Sequence, residues 1–107
     1  MEVTKSVLNL IGKTPTVRLE RIETVGASVL TKLEYLNPSG SLKDRIALRM
    51  IEQAEKDRLL RPGHIIVESS TGNTGIALSF VGAMKGYKVI IFETIPGKMS
   101  QERVKLM

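Results

Sequence analysis

The 107-residue sequence predicts an α/β fold: three layers, with a mostly parallel sheet and helices on both faces. Residues 64–68 (His-Ile-Ile-Val-Glu) and 88–92 (Lys-Val-Ile-Ile-Phe) are near-continuous β-branched runs, as in parallel strands buried on both faces. The segment between them, from about Thr74 to Lys85, is apolar almost all round, which marks a helix buried on several sides. Strand, helix and strand joined by tight connections make a right-handed βαβ unit.

The remaining elements follow in order. Residues 5–18 read as a short helix or turn, with a turn at residues 11–15 and an extended piece at 16–19. Residues 29–34 have strand composition, and Pro38 and Gly40 make residues 37–41 a loop. A helix is expected next. Ser41 serves as its N-cap, Asp44 resembles the acid of a capping box, and Pro62-Gly63 is the stop signal. Ile46, Ala47, Met50, Ile51 and Ala54 form its apolar face. Gly86 is the expected C-terminal cap of the second helix. A third helix begins near Ser100, its expected cap, after a connection at 93–98. Its shortness predicts marginal stability without docking. With little left to cover the sheet's second face, the domain is expected to be incomplete or to self-associate.

Composition excludes several classes. An apolar fraction of 42% with 25% charged residues is that of a soluble globular domain. The absence of cysteine excludes a disulfide framework and thiolate-ligated metal, and fits a cytoplasmic protein. The first residues carry no secretory h-region. The longest apolar stretch, 76–84, is broken by Ser79 and Gly82 and is far short of a membrane span. The net charge of +5 favours anionic ligands, but the basic residues are scattered and aromatics scarce, which argues against nucleic acid. His64 stands without a second ligand at metal spacing.

Two features carry chemistry. Ser69-Ser70-Thr71-Gly72-Asn73-Thr74-Gly75 lies between a strand and a helix, at the carboxyl end of a parallel strand. Free N–H groups at such a helix start attract carboxylate or phosphate, and the hydroxyls of Ser70, Thr71 and Thr74 add donors. Read alone, the same residues also suit a plain cap and turn. Lys43 lies near a helix start, where the dipole disfavours a cation. Burial there would lower its pKa toward the neutral amine that Schiff-base chemistry requires. An isolated lysine is otherwise a solvated charge.

Residues 11–19 (IGKTPTVRL), 32–45 (KLEYLNPSGSLKDR) and 70–75 (STGNTG) occur in order at family-like spacing. Together they resemble the N-terminal third of the cysteine synthase (O-acetylserine sulfhydrylase) and cystathionine β-synthase family. These are pyridoxal-phosphate enzymes of the tryptophan synthase β-like fold, fold type II. The resemblance implies that residues 1–107 are the N-terminal portion of such an enzyme, with a mobile subdomain beginning at about 88–107. It implies that Lys43 holds pyridoxal 5'-phosphate as a Schiff base and later moves protons. Asn73 would hydrogen-bond the cofactor's ring hydroxyl. Ser70, Thr71, Gly72, Asn73 and Thr74 would bind the substrate's α-carboxylate. The implied reaction is β-replacement on O-acetylserine or O-phosphoserine with sulfide to give cysteine, in a cytoplasmic homodimer acting on a small amino acid. Cystathionine β-synthase and threonine dehydratase activities are alternatives within the family.

Thr71 and Thr16 depart from the usual family residues, and the connection at 93–98 is slightly longer. The family's phosphate cradle and pyridine-nitrogen serine lie outside these residues, so the 107-residue chain alone is expected to bind the cofactor weakly. The competing expectation is a truncated, non-catalytic paralogue that binds a small carboxylate or a full-length partner.

Overall fold

The computed structural model describes residues 3–22, 26–93 and 101–107. A 3-10 turn at Val7–Leu10 starts it, held by the Leu8 N–H donating to Ser6 Oγ at 3.2 Å. Two short strands, β1 (Thr16–Arg18) and β2 (Leu30–Lys32), pair antiparallel, with Val17 opposite Thr31. A second 3-10 turn, Glu34–Leu36, leads into α1 (Lys43–Lys56). The βαβ unit follows as expected: β3 (Ile65–Ser69), α2 (Asn73–Met84) and β4 (Lys88–Phe92). A short α3 (Gln101–Leu106) completes the described chain.

The strands β3 and β4 are parallel, with Ile66 opposite Val89 and Glu68 opposite Ile91. Alternation along the pleat turns those four residues toward α2. The opposite face carries Ile65, Val67 and Phe92, all exposed. Among the described residues one face of the parallel pair is covered, as the expected incomplete α/β fold implies. The sheet is two two-stranded pieces, one parallel and one antiparallel, and α2 covers one face of the parallel pair.

The core lies between the two long helices. Ala47 and Ile51 of α1 pack with Ala77, Leu78 and Val81 of α2, and all five are buried. The apolar face read from sequence is wider than the buried one: Ile46 and Met50 remain exposed. Small residues let the helices and sheet approach closely, since a Cβ at Gly82 would collide with Val89 Cγ2. The salt bridge from Lys85 Nζ to Glu55 Oε2, 2.7 Å long, ties α2 to α1. The Tyr87 hydroxyl donates to Glu55 Oε1 at 2.9 Å and brings in the start of β4.

Both helix boundaries of α1 differ from expectation. Its N-cap position is Leu42, and the Asp44 carboxylate reaches back to Ser39 rather than to Ser41. The capping box is therefore replaced by an acid that fixes the preceding loop. The stop comes before Pro62-Gly63. The Leu59 N–H donates to Ala54 O at 2.9 Å and the Arg58 N–H to Glu55 O at 3.0 Å. That is a Schellman closure, with Arg58 at φ 59° in the position glycine usually fills. The helix α2 closes the same way, and there Gly86 is the residue expected. The Ser100 cap and most of the connection at 93–98 lie outside the described residues.

Candidate active site

The sequence-predicted residues fall at two helix starts. Lys43 opens α1 and Asn73 opens α2. The register of the two helices brings these starts to one end. Glu55 lies twelve residues after Lys43, and Lys85 lies twelve after Asn73. The Glu55–Lys85 bridge joins those two points, and the shared core lies between them and the helix starts. Both helices thus run the same way, and stepping back about 18 Å along each arrives at Lys43 and Asn73.

The loop from β3 to α2 is organised around Ser70. Its backbone N–H donates to Phe92 O at 2.9 Å, anchoring the loop at the carboxyl end of the sheet. Its hydroxyl oxygen accepts from the N–H of Gly72 at 3.2 Å and of Gly75 at 3.1 Å. The N-cap residue, Gly72, has no side chain to do this, so Ser70 takes the capping role from two residues upstream. The Ser70 hydroxyl is therefore engaged within the protein. Among the described residues, the N–H groups of Thr71, Asn73 and Thr74 have no acceptor. They are left at the positive end of α2, where an anion is favoured. Thr71 and Thr74 are half-buried and Asn73 is exposed.

The third helix borders this loop. Arg103 Nη1 donates to Thr71 O at 3.1 Å. Gly75 is buried beside Met107, Ile91 and Ser70, and a Cβ there would lie 2.8 Å from Met107 Cε.

Lys43 is half-buried, and among the described residues nothing hydrogen-bonds or pairs with its ammonium. Its backbone is held closely. The Lys43 N–H donates to Ser41 Oγ at 3.2 Å. Asp44, fully buried, accepts from the Ser39 N–H at 2.8 Å and from the Ser39 hydroxyl. Arg45 donates through Nε and Nη2 to the two oxygens of Glu34, at 2.7 and 2.9 Å. Its Nη2 also reaches Gly12 O at 2.8 Å and Thr14 Oγ1 at 3.2 Å.

Sequence reasoning missed most of this network. Buried Asn37 accepts from the Gly12 N–H at 2.8 Å and donates to Glu34 O at 2.8 Å. The Thr14 hydroxyl donates to Glu34 Oε1 at 2.8 Å. The hydrogen bond from Arg45, then that from Thr14, pulls the Glu34 pKa down to about 2. Gly12 adopts φ +81°, and a Cβ there would lie 2.7 Å from Arg45 Nη1, so the guanidinium depends on this glycine for room. The signal was present in the segments 11–15 and 32–45, where Gly12, Thr14, Glu34, Asn37 and Arg45 find partners in each other.

An unpartnered amine and a row of free N–H donors at one end of a helix pair suit a ligand with an aldehyde and an anionic group. Residues 7–107 match the family model described as pyridoxal-phosphate dependent enzyme. The chain belongs to this family. It is 52% identical over 103 residues to a cysteine synthase of Staphylococcus aureus, covering 95% of this chain and 33% of that protein. It is 45% identical over 109 residues to the cystathionine beta-synthase of Rattus norvegicus, covering 99% of this chain and 19% of that one. A crystal structure of a hydrogen sulfide-producing enzyme from Fusobacterium nucleatum superposes with a TM-score of 0.89 at 46% identity, covering 99% of this chain and 34% of that chain. The fold type II assignment therefore holds, and the family's cofactor is pyridoxal phosphate. The chain spans about a third of the length of the cysteine synthase it matches. Among the described residues no helix is long and apolar enough to cross a membrane, and no cluster of candidate metal ligands is found.

Proposed function

We propose that the chain forms the N-terminal portion of a pyridoxal-phosphate-dependent cysteine synthase. The observation that carries this reading is the placement of the Lys43 amine at the same end of the α1–α2 pair as the unfilled N–H groups of Thr71, Asn73 and Thr74. When bound, the cofactor supplies the electron sink for carbanion chemistry at the amino acid's α-carbon. The protein's own residues do the rest. Lys43 would hold the cofactor through its Nζ and, once free, would take and return a proton there. Asn73 would hydrogen-bond the cofactor's ring hydroxyl. The loop from Ser70 to Thr74 binds the substrate carboxylate. Within it, the N–H groups of Thr71, Asn73 and Thr74 face the anion, while Ser70 holds the loop's shape.

The reaction this supports is replacement of the β-substituent of O-acetylserine or O-phosphoserine by sulfide, giving cysteine. The cysteine synthase relative at 52% identity favours this over the other family reactions. This reading includes a cytoplasmic homodimer, and the exposed Ile65, Val67 and Phe92 support association by leaving apolar surface.

The deciding experiment adds pyridoxal phosphate to the purified protein and reads the visible imine absorbance, with Lys43→Ala as control. A band present in the wild type and absent from the variant supports the anchor. Equal spectra for the two would refute it. Turnover of O-acetylserine or O-phosphoserine with sulfide, compared with serine plus homocysteine, then assigns the reaction.

A further inference from the structure

We propose that Asp44 and Arg45 are positioning residues for the Lys43 amine, a two-sided brace that fixes the direction in which the lysine leaves the first turn of α1. The inference rests on the reading of Lys43 as the cofactor's anchor.

Successive side chains leave a helix about 100° apart, so residues 43, 44 and 45 point in three directions. Two of those directions are pinned by different parts of the chain. Asp44, fully buried, grips Ser39 through that residue's N–H at 2.8 Å and through its hydroxyl. This fixes the loop that enters the helix. Arg45 grips Glu34 with two nitrogens, at 2.7 and 2.9 Å, and the carbonyl of Gly12 at 2.8 Å. This ties the helix to the turn after Val7–Leu10, before β1, and to the start of the Glu34–Leu36 turn, after β2. The backbone of Lys43 is itself held by Ser41 Oγ at 3.2 Å. With Asp44 and Arg45 tied to different supports, the first turn cannot rotate without breaking one of them.

The consequence is functional. The residue whose side chain has no partner of its own is followed directly by two that have several. Such an arrangement pre-organises a nucleophilic amine: its approach is set by the frame, and no competing hydrogen bond must be broken before it reacts. Asp44 and Arg45 need not touch the cofactor to do this.

The test measures the amine directly. The full chain is incubated with pyridoxal phosphate across a pH series. The amine displaces the aldehyde oxygen as water, and borohydride then fixes the resulting C=N bond as a secondary amine. Peptide mass mapping gives the trapped fraction at Lys43 relative to Lys56, which is exposed at the far end of the same helix. In the wild type Lys43 traps preferentially. Asp44→Asn, which keeps the shape and weakens the charge-assisted bonds, is expected to lower the Lys43/Lys56 ratio on the order of tenfold and to move the Lys43 pH profile toward that of Lys56. Ser39→Ala and Arg45→Lys each remove part of one arm and lower the ratio less. Circular dichroism selects the variants that retain helix, and Ser39→Ala supplies the milder probe where Asp44→Asn does not fold. Unchanged ratios and pH profiles in the folded variants overturn the brace while leaving the anchor standing. Absence of preferential trapping at Lys43 in the wild type overturns the anchor, and the brace with it.

Discussion

Arg45 meets Glu34 side-on, with Nε 2.7 Å from one carboxylate oxygen and Nη2 2.9 Å from the other. The planar fork matches the carboxylate in a way a lysine's point charge cannot. The pair is partly open to solvent, so its value as an isolated ion pair is small. Its importance is in what else it holds: Thr14, Asn37 and Gly12 bond to the same two side chains. Arg45→Lys is therefore expected to lower the melting temperature, because one ammonium cannot serve Glu34, Gly12 and Thr14 together. Thermal unfolding by circular dichroism checks this, and an unchanged midpoint would show that the network is dispensable.

The same pair sets an acid dependence. The Glu34 pKa falls from an ordinary 4.5 to about 2, chiefly through the bonds from Arg45 and Thr14. A depressed carboxyl pKa stabilises the fold above the unfolded value, and that contribution is lost as pH falls through the folded value. Stability should therefore decline as pH drops from about 4.5 toward about 2. Glu34→Gln, which has no carboxyl to titrate, should show a shallower decline over that window in urea melts at stepped pH. Parallel pH slopes for the wild type and the variant would remove Glu34 as the cause.

What the sequence made legible was local. The strands at residues 64–68 and 88–92, the buried helix between them and the Gly86 closure each depend on neighbours within one element. The positions of Lys43 and the loop at 70–75, each at a helix start, were legible because a helix start and a glycine turn declare themselves in a few residues. The polar network was not, because Gly12 finds Asn37 across 25 positions and Thr14 finds Glu34 across 20. Asp44 looked like a capping acid because Ser41 stands three residues before it, yet its partner is Ser39, five residues back. The role of Ser70 was hidden for a related reason: a hydroxyl in a glycine turn reads as a free donor, whereas here it is engaged within the loop by Gly72 and Gly75.

The end of α1 was missed because an arginine occupies the left-handed position of a Schellman closure. A non-glycine residue there costs about 1–2 kcal/mol, part of which glycine returns through its larger unfolded-state entropy. Arg58→Gly should thus stabilise the protein by about 0.5–1 kcal/mol. Arg58 is exposed, so little packing is lost with its side chain. Equilibrium urea unfolding gives the sign, and a destabilised variant would mean that the arginine stem contributes more than its backbone costs.

Close packing of α2 on the sheet gives a prediction of opposite sign. Gly82 is buried, and an added Cβ would collide with Val89 Cγ2 and come within 3.5 Å of Ile66 Cδ1. Val89 lies on β4 and cannot withdraw without moving that strand against β3, where Ile66 is its partner. Gly82→Ala should therefore destabilise by about 1–3 kcal/mol, despite alanine's better helix propensity. Val89→Ala removes the obstructing methyls and should recover part of that loss in the double variant. The two substitutions then fail to add, with a coupling of about 0.5–3 kcal/mol that a double-mutant cycle in urea measures. Strict additivity would show that the helix shifts away from the sheet instead of pressing on Val89.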